Sequence, residues 1–346
     1  MNSDIKSTII KIITDKPVRK TPYQVKGVFI RHFKEESIVP MLNGSNRDKF
    51  LYPRVQVKIL DEQIYLIGIK EGSEPVLSIS EKIKELNFGN ITFKVENIDI
   101  EDKTQEFISL NQLIKYKFIT PWVALNHMTG AKYKKLKSDD KISYLNKLLG
   151  QNIVFLANEF NLSLEKNIYT KLELSDLKPK KVDEKNWGSF EGEFKTNCIL
   201  PNYIGLGNGI TRGFGTFFGN TSNLNYKDSI DKKNNIDSFK KEDGLDVVIV
   251  SDVPKPKRRK KRNKKTNNKY SKKHKSGVNK KLKYNYKNKK HKKNSNLYNN
   301  KKTKNIFNED FNIEHDKNNY NRLEPDDNIE EKNFNTEKHH KKQHKF

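Results

Sequence analysis

The stretch LYPRVQVKILDEQIYLIGIKEG, residues 51–72, has the pattern of two strands joined by a tight turn. LYPRVQVKIL and QIYLIGIKEG are strand-like runs on the two sides of Asp61-Glu62, which indicates a hairpin. The flanking segments extend this pattern. KSTIIKII (6–13) and NITFKVENIDI (90–100) alternate as strands, and TPYQVKGVFIRHFKEES (21–37) places apolar residues at helical spacing, with Pro22 near the start of the helix.

A second helix is predicted over SISEKIKELNF (78–88), which completes the order β-α-β-β-α-β of the ferredoxin-like unit. The next part of the chain has a similar order. YKFITPWVAL (116–125) indicates a strand running into a loop, and KISYLNKLLGQNIVFLANEF (141–160) indicates the longest helix. Strands are predicted at NIYTKLEL (167–174), LKPKKVD (177–183), GSFEGEFKTNCIL (188–200) and GTFF (215–218). We therefore predict an α+β protein of two tandem ferredoxin-like, RRM-like domains, residues 1–105 and 106–220.

The positive charge is concentrated beyond these domains. The chain has 346 residues and a formal net charge of +26, and residues 251–300 hold 21 Lys or Arg against one Asp. Residues 221–346 are poor in apolar side chains and rich in Lys, Asn and Asp, so they cannot offset the entropy of ordering. We predict a disordered basic tail. It is either a sequence-independent arm for a phosphate backbone or a solvated low-complexity extension.

Several classes of protein do not fit this composition. Cys198 is the only cysteine, which excludes an intramolecular disulfide framework and a cysteine-based zinc site. There is no signal pattern and no apolar run of membrane-spanning length, so we expect a cytoplasmic protein without a membrane partner. No cluster of Asp, Glu and His at metal-ligand spacing stands out in residues 1–220, so we expect neither a metal nor another cofactor.

The stretch NYIGLGNGITRGFGTFFGN, residues 202–220, packs six glycines around Arg212. A P-loop would continue with Lys-Ser or Lys-Thr into a helix, and a dinucleotide-binding fingerprint would also open a helix, whereas here a strand follows. Two interpretations remain. The stretch is a glycine-rich hairpin between two strands, or its bare peptide N–H groups and Arg212 form a nest for phosphodiester oxygens.

With its neighbours, this stretch resembles the C-terminal signature of the CRISPR repeat-RNA processing endoribonucleases, the Cas-six family of the RAMP superfamily. NWGSFEGEFKTNCILPNYIGLGNGITRGFGTF (186–217) matches the family's G-x-G-x-x-x-x-x-G-F-G loop, which a strand precedes. FITPWVALN (118–126), LLGQNIVFLA (148–157) and LYPRVQVKIL (51–60) resemble further segments of one subgroup, so the likeness covers roughly residues 1–219. The matching loop positions are Gly205, Gly207, Gly213, Phe214 and Gly215.

The resemblance implies a substrate and a reaction. The substrate would be CRISPR repeat RNA within a long precursor transcript, with effector-complex proteins and a second copy of the chain as possible partners. Cleavage would be metal-independent: an RNA 2′-hydroxyl attacks the adjacent phosphate and leaves a cyclic phosphate and a 5′-hydroxyl. The RNA-binding candidates are the loop residues Gly205, Gly207, Gly209, Arg212, Gly213, Phe214 and Gly215. IKYKF (114–118) and AKYKKLK (131–137) interleave Tyr with Lys, a pattern that suits base stacking and phosphate contact.

The catalytic residues are less well defined. Of eight histidines, only His32 and His127 lie in the predicted domains, and His127 is interpreted as a surface residue. The resemblance implies a histidine in the loop before the Tyr-Pro strand, but MLNGSNRDKFLYP (41–53) contains none. Three alternatives follow. In the first, His32 is catalytic, although its spacing with Val25 and Phe29 also fits a packed core histidine. In the second, cleavage proceeds without histidine, by orientation and charge stabilisation from Tyr52, Lys49, Arg54 and Ser45. In the third, the protein binds repeat RNA without cleaving it.

Overall fold

The computed structural model describes residues 4–164, 166–182, 187–220 and 243–255. The N-terminal domain forms one antiparallel sheet with the strand order β2-β3-β1-β5-β4. The order of its first four members is that of a ferredoxin-like sheet, as predicted. Its elements are β1 (Asp4–Thr14), α1 (Pro22–His32), α2 (Val39–Leu42), β2 (Val55–Leu60), β3 (Gln63–Ile69), α3 (Ser73–Ile79), β4 (Glu85–Asn87) and β5 (Thr92–Glu106).

The hairpin that organises this domain forms where the alternation places it. Asp61 and Glu62 both have left-handed backbone angles, with φ of 49° and 56°, as a two-residue turn between twisted antiparallel strands requires. One face of the sheet carries Ile10 and Ile12, which are buried in the same core as Phe29 of α1. The opposite face of β2 carries Gln56 and Lys58, which are also buried. The N-terminal sheet is therefore covered on both faces along β2.

The predicted second helix is displaced towards the N-terminus. The helix α3 spans Ser73–Ile79 and continues into a 3-10 turn at Ser80–Lys82, while residues 85–87 of the predicted helix form the edge strand β4. Pro75 is tolerated because it lies in the first turn of α3, where its missing N–H would have no helical acceptor. Leu86 is buried opposite Phe93 of β5, so sheet pairing overrides helical spacing here.

The C-terminal domain repeats the ferredoxin-like order with one change. Its main sheet has the antiparallel order β12-β6-β11-β8-β13, and β7, β10 and β9 form a small second sheet. In place of a second helix, residues 199–216 between β11 and β12 form the glycine-rich segment, which holds a short 3-10 turn. The elements are β6 (Ser109–Phe118), β7 (Trp122–Leu125), α4 (His127–Tyr133), α5 (Ser138–Glu159), β8 (Ile168–Leu174), β9 (Lys180–Val182), β10 (Trp187–Phe190), β11 (Gly192–Cys198), β12 (Phe217–Phe218) and β13 (Asp246–Val248).

The strand β13 corrects the prediction for part of the tail. Residues 221–242 and 256–346, on which most of that prediction falls, lie outside the described residues. Asp246–Val248, however, pairs with β8 at the edge of the C-terminal sheet, and Val248 and Val253 are buried. The run LDVVIV (245–250) is apolar enough to dock there. None of the helices in the described ranges combines the length and the apolar character needed to span a membrane.

Candidate nucleic-acid interface

The glycine-rich segment is held between the two domains by side chains of the Tyr52–Lys58 stretch. The Tyr52 hydroxyl donates to the Gly205 carbonyl at 2.8 Å, and the Gly205 N–H donates to Gln56 Oε1 at 3.0 Å. Lys58 Nζ, two residues further along β2, donates to the Ile210 carbonyl at 3.3 Å. We call Tyr52, Gln56 and Lys58 the β2 clasp. It joins one strand of the N-terminal sheet to two points of the glycine-rich segment.

Tyr52 is enclosed in this contact. Its side chain is 2% exposed, and its hydroxyl also accepts a hydrogen bond from Gln56 Nε2 at 2.9 Å. Burial is the largest influence on this phenol and raises the pKa of Tyr52 well above its ordinary value, which outweighs the hydrogen bond from Gln56. Because the hydroxyl proton is committed to Gly205, the structure does not fit the catalytic role predicted for Tyr52. The sequence could not reveal this, since the partner lies far away along the chain.

Arg54 is enclosed as well, at 3% exposure. Its Nε donates to Glu71 Oε2 at 2.7 Å and its Nη2 donates to the Glu159 carbonyl at 2.9 Å. The guanidinium also lies 4.7 Å from the ring centroids of Phe50 and Phe160. These contacts join the two domains and enclose the guanidinium. The position of Arg54 therefore does not fit its predicted role of stabilising charge on the phosphate of a bound RNA.

The two other predicted catalytic residues are accessible. Lys49 and His32 are exposed, whereas Val25 and Phe29 take the buried face of α1. His32 is therefore not a packed core histidine. It ends α1, ten residues beyond Pro22, and a helix of that length separates the two residues by about 15 Å. Pro22 of α1 lies beside the glycine-rich segment, since a Cβ atom added to Gly213 would lie 2.8 Å from Pro22 Cγ.

The glycines of the segment serve internal packing rather than an open nest. The N–H groups of Gly205, Gly213 and Gly215 donate to Gln56 Oε1, the Ile210 carbonyl and the Pro121 carbonyl, respectively. A peptide N–H that already has an acceptor is not available to a phosphate, so the predicted nest is wrong for these three glycines.

Close approach explains why glycine is needed. A Cβ atom on Gly215 would lie 1.9 Å from the Leu206 carbonyl oxygen, and one on Gly207 would lie 2.7 Å from Trp122 Nε1. Gly209 and Gly213 flank the 3-10 turn with φ of 75° and 94°, a conformation that favours glycine. The glycines thus allow a tight double bend that brings Arg212 to the edge of the small sheet.

Arg212 is the half-buried cation that this bend presents. Its guanidinium carbon lies 4.8 Å from the Trp187 ring centroid and 5.5 Å from the Phe214 centroid. Stacking of this kind orients a guanidinium while its edge N–H groups keep the geometry that matches phosphate. Phe214 in turn packs on the small buried cluster that contains Trp187. The predicted RNA-binding residues Arg212 and Phe214 are therefore brought together, with Trp187 as a partner that the sequence analysis missed.

Exposed lysines surround the same small sheet. Trp187 pairs with Val182 of β9, next to the exposed Lys181 and Lys180. At the other side, α4 contacts β7 and β10, and Tyr133 donates its hydroxyl to the Leu177 carbonyl at 2.5 Å. The exposed lysines of this helix and the turn after it are Lys132, Lys134, Lys135 and Lys137. We use the name Arg212 face for Arg212 together with these lysines and Lys180 and Lys181, all of which lie on or next to elements that form or contact the small sheet.

The tyrosines of the two segments whose pattern suits base stacking, IKYKF and AKYKKLK, belong to the interior. Tyr133 and Tyr116 are both buried. Tyr116 packs against Phe194 and Phe217, with ring centroids 5.1 Å and 5.4 Å away. The lysines next to each of these tyrosines are exposed, because the alternation of side chains along β6 and the helical turn of α4 direct neighbouring side chains to different sides.

The lysine of the clasp differs from those of the Arg212 face. Lys58 is fully buried, and loss of hydration lowers the pKa of its amine to about 7.

Among the described residues, no three His, Cys, Asp or Glu side chains lie close enough together to hold a metal ion.

Comparisons with known proteins relate both domains to one family. The model of the Cas6b N-terminal domain matches residues 3–106, and that of the Cas6b C-terminal domain matches residues 108–218. A solved structure, the crystal structure of Cas6b, is 29% identical, with a TM-score of 0.53 and coverage of 62% of this chain and 99% of that one. A second, the crystal structure of the CRISPR RNA processing endoribonuclease Cas6b, is 25% identical, with a TM-score of 0.48 and the same coverage. An uncharacterized protein of Methanocaldococcus jannaschii is 37% identical over 135 residues, which make up 39% of this chain and 91% of that protein.

Proposed function

This chain belongs to the Cas6b family, and on that premise we propose that it binds CRISPR repeat RNA and cleaves it without a metal ion. In the proposed reaction a base removes the proton of an RNA 2′-hydroxyl, and the 2′-oxygen forms a bond to the adjacent phosphorus. The bond from phosphorus to the 5′-oxygen breaks, and an acid protonates the leaving oxygen. The products are a 2′,3′-cyclic phosphate and a 5′-hydroxyl.

The observation that carries the binding part of this proposal is the stacked Arg212. The guanidinium lies 4.8 Å from the centroid of the buried Trp187 ring, and this contact already restricts its conformation. Binding of a phosphate would therefore cost little further conformational entropy. The lysines of the Arg212 face add sequence-independent attraction for the RNA backbone. We therefore propose that phosphates of the repeat contact Arg212 and lysines of this face.

For catalysis we propose the accessible members of the predicted set. His32 would act as the base or acid, a role that histidine often has in catalysis, and Lys49 would stabilise charge on the phosphorane. Both side chains are exposed and lie on the N-terminal domain, which the glycine-rich segment contacts through Pro22 and the β2 clasp. The cleaved phosphate would then lie against the N-terminal domain.

A second candidate function, binding of repeat RNA without cleavage, is favoured by one observation. The loop of residues 41–53 contains no histidine, and the two strongest non-histidine candidates, Tyr52 and Arg54, are enclosed. A binder of this kind would protect the repeat or deliver it to other proteins. Effector-complex proteins and a second copy of the chain remain predicted partners.

One experiment separates the two functions. The purified chain is incubated in excess EDTA with RNA that carries the repeat of a CRISPR array beside its gene, and the product ends are identified by mass spectrometry. We expect a cyclic phosphate and a 5′-hydroxyl. Saturable binding without any product supports the non-cleaving binder, and absence of selective binding contradicts both functions. An unrelated hairpin RNA of equal length is the control for selectivity.

A further inference from the structure

Lys58 is a lysine whose amine lies inside the protein. It is the fourth residue of β2 and is fully buried where this strand packs against the glycine-rich segment. Among the described residues, its Nζ has one hydrogen-bond acceptor, the Ile210 carbonyl at 3.3 Å, and no carboxylate forms an ion pair with it. Burial of an amine without a counter-charge is costly, and a methionine would fill a similar volume without this cost. The lysine is therefore expected to supply something that an apolar side chain cannot.

The acceptor of the Lys58 amine begins the turn that carries Arg212. Ile210 is the first residue of the 3-10 turn Ile210–Arg212. The same carbonyl accepts the N–H of Gly213 at 3.1 Å, which closes the turn. A carbonyl oxygen has two lone pairs, so it can accept from both donors at once. Lys58 thus connects β2 of the N-terminal domain directly to the turn on which Arg212 lies.

The turn depends on contacts from outside for its direction. It is three residues long and is flanked by Gly209 and Gly213, which have left-handed φ values of 75° and 94°. Because glycine allows a wide range of backbone angles, the chain on either side does not by itself determine where the turn points. The hydrogen bond from Lys58 is an outside contact that does.

The position of Arg212 is sensitive to the direction of this turn. Its guanidinium carbon lies 4.8 Å from the Trp187 ring centroid and 5.5 Å from the Phe214 centroid. A side chain that binds a ligand precisely is held within about 0.5 Å of its working position by packing and by hydrogen bonds from residues that do not contact the ligand. Here Trp187 provides the packing, and the Lys58 amine provides a hydrogen bond at the start of the turn.

We infer that Lys58 is a positioning residue for Arg212: its amine holds the Ile210 carbonyl and thereby keeps the guanidinium over Trp187, in the orientation that a phosphate of the repeat RNA requires. This inference rests on the proposed function, because the proposed function assigns the phosphate to Arg212. Lys58 itself does not touch the RNA, since its side chain is enclosed. A buried amine that has lost its hydration is typical of positions where a polar contact serves function rather than stability.

The first test measures the placement of Arg212 without RNA. In proton–nitrogen NMR spectra of the full chain, the Nε–H resonance of Arg212 is assigned by its absence in Arg212→Ala. We expect the ring current of Trp187 to shift it away from the resonances of exposed arginines such as Arg19 and Arg31. In Lys58→Met the resonance should move to the position of the exposed arginines.

Lys58→Met is expected to fold, because the side-chain volume is kept and the Ile210 carbonyl retains its bond from Gly213. The matched control is Lys70→Met. The Lys70 amine also donates to a backbone carbonyl, that of Phe160 at 2.5 Å, which lies outside the glycine-rich segment. This control should leave the Arg212 resonance where it is in the wild-type chain.

The second test is a double-mutant cycle on the affinity for repeat RNA that a 2′-deoxy nucleotide protects from cleavage. Lys58→Met should weaken binding about 2- to 30-fold in the wild-type chain and less than about twofold in Arg212→Ala. If the charge of Lys58 acted on the RNA directly, the loss would be equal in both backgrounds. Lys70→Met should bind within about twofold of wild type.

An unmoved Arg212 resonance, wild-type affinity, or an equal loss of affinity with and without Arg212 in the Lys58→Met chain overturns the inference. Melting curves show whether the variant folds, and Lys58→Leu is the second variant. Failure of both to fold also overturns it, because Lys58 would then be required for the structure rather than for the placement of Arg212. Failure of the proposed function is recognised separately. The wild-type chain would then not bind the repeat, whereas the NMR spectra would still show whether Lys58 places Arg212.

Discussion

The substitution Tyr52→Phe separates a role in joining the domains from a role in catalysis. It removes one hydroxyl, which donates to the Gly205 carbonyl at 2.8 Å and accepts from Gln56 Nε2 at 2.9 Å. Gln56 Nε2 keeps a second acceptor, the Pro53 carbonyl at 3.3 Å, so the unsatisfied group left in the contact is mainly the Gly205 carbonyl. A buried polar group without its partner costs about 1–3 kcal/mol of folding free energy.

The expected result is a loss of stability with little loss of activity. For a fold of about 200 residues, 1–3 kcal/mol lowers the melting temperature by about 2–12 °C. Well below that temperature, the single-turnover rate of repeat cleavage should stay within about threefold of wild type. Scanning calorimetry measures the first quantity and RNA cleavage under enzyme excess measures the second. Tyr23→Phe, the same change on an exposed tyrosine of α1, is the control and should leave the melting temperature unchanged.

The opposite pattern would assign the Tyr52 hydroxyl to catalysis. Loss of a general acid lowers the rate by about 10²–10⁴-fold. If Tyr52→Phe caused such a drop while the melting temperature stayed that of the wild-type chain, the hydroxyl would have to reach the RNA, and the clasp assigned here to Tyr52 would be wrong.

Four further outcomes are expected. Arg212→Ala should weaken repeat binding about 10- to 150-fold in filter-binding titrations, because it removes a hydrogen bond to a charged group. The control is Lys84→Ala, which changes an exposed lysine near the far edge of the N-terminal sheet and should leave the affinity within about twofold. Burial lowers the pKa of the Lys58 amine to about 7, so over most of the range from pH 7 to 10 this amine is protonated in the unfolded chain and neutral in the folded one. The free energy of unfolding of the wild-type chain, measured in urea melts, should therefore rise by about 3–4 kcal/mol from pH 7 to 10 relative to that of Lys58→Met, and parallel curves contradict this. Gly215→Ala should lower stability by at least about 1–2 kcal/mol, because φ is +67° and the new Cβ would lie 1.9 Å from a carbonyl oxygen. His32→Ala should slow cleavage about 10²–10⁴-fold with unchanged repeat affinity, and an unaltered rate would remove His32 from the mechanism.

Local patterns in the sequence predicted most of the N-terminal fold. The hairpin around Asp61 and Glu62 was predictable because alternation and turn length are local properties, and both define the register. The second helix was misplaced because the apolar positions Ile79, Ile83 and Leu86 satisfy a helical spacing while only the first of them lies in α3. The strand β13 was missed because a short apolar run in a polar tail carries no sign of the sheet edge that receives it.

The site was predictable as a region but not in its contacts. The glycine-rich segment and Arg212 were recognised from spacing, but whether a glycine N–H faces solvent or a carbonyl depends on the residues that fold against it. Tyr52 and Arg54 precede a strand, and nothing near them in the sequence indicates that Glu159 and Gly205 enclose them. Trp187 was missed because its ring becomes a platform only when the segment brings Arg212 over it.

The most direct test of the proposed mechanism replaces a single oxygen of the substrate. Repeat RNA with one 2′-deoxy nucleotide on the 5′ side of the cleaved bond is compared with the all-ribose RNA, in excess EDTA and at equal protein concentration. We expect equal affinity for both RNAs, a cyclic-phosphate product from the all-ribose RNA, and no cleavage of the deoxy RNA. Cleavage of the deoxy RNA at the same bond, or cleavage that requires an added divalent metal ion, would contradict it.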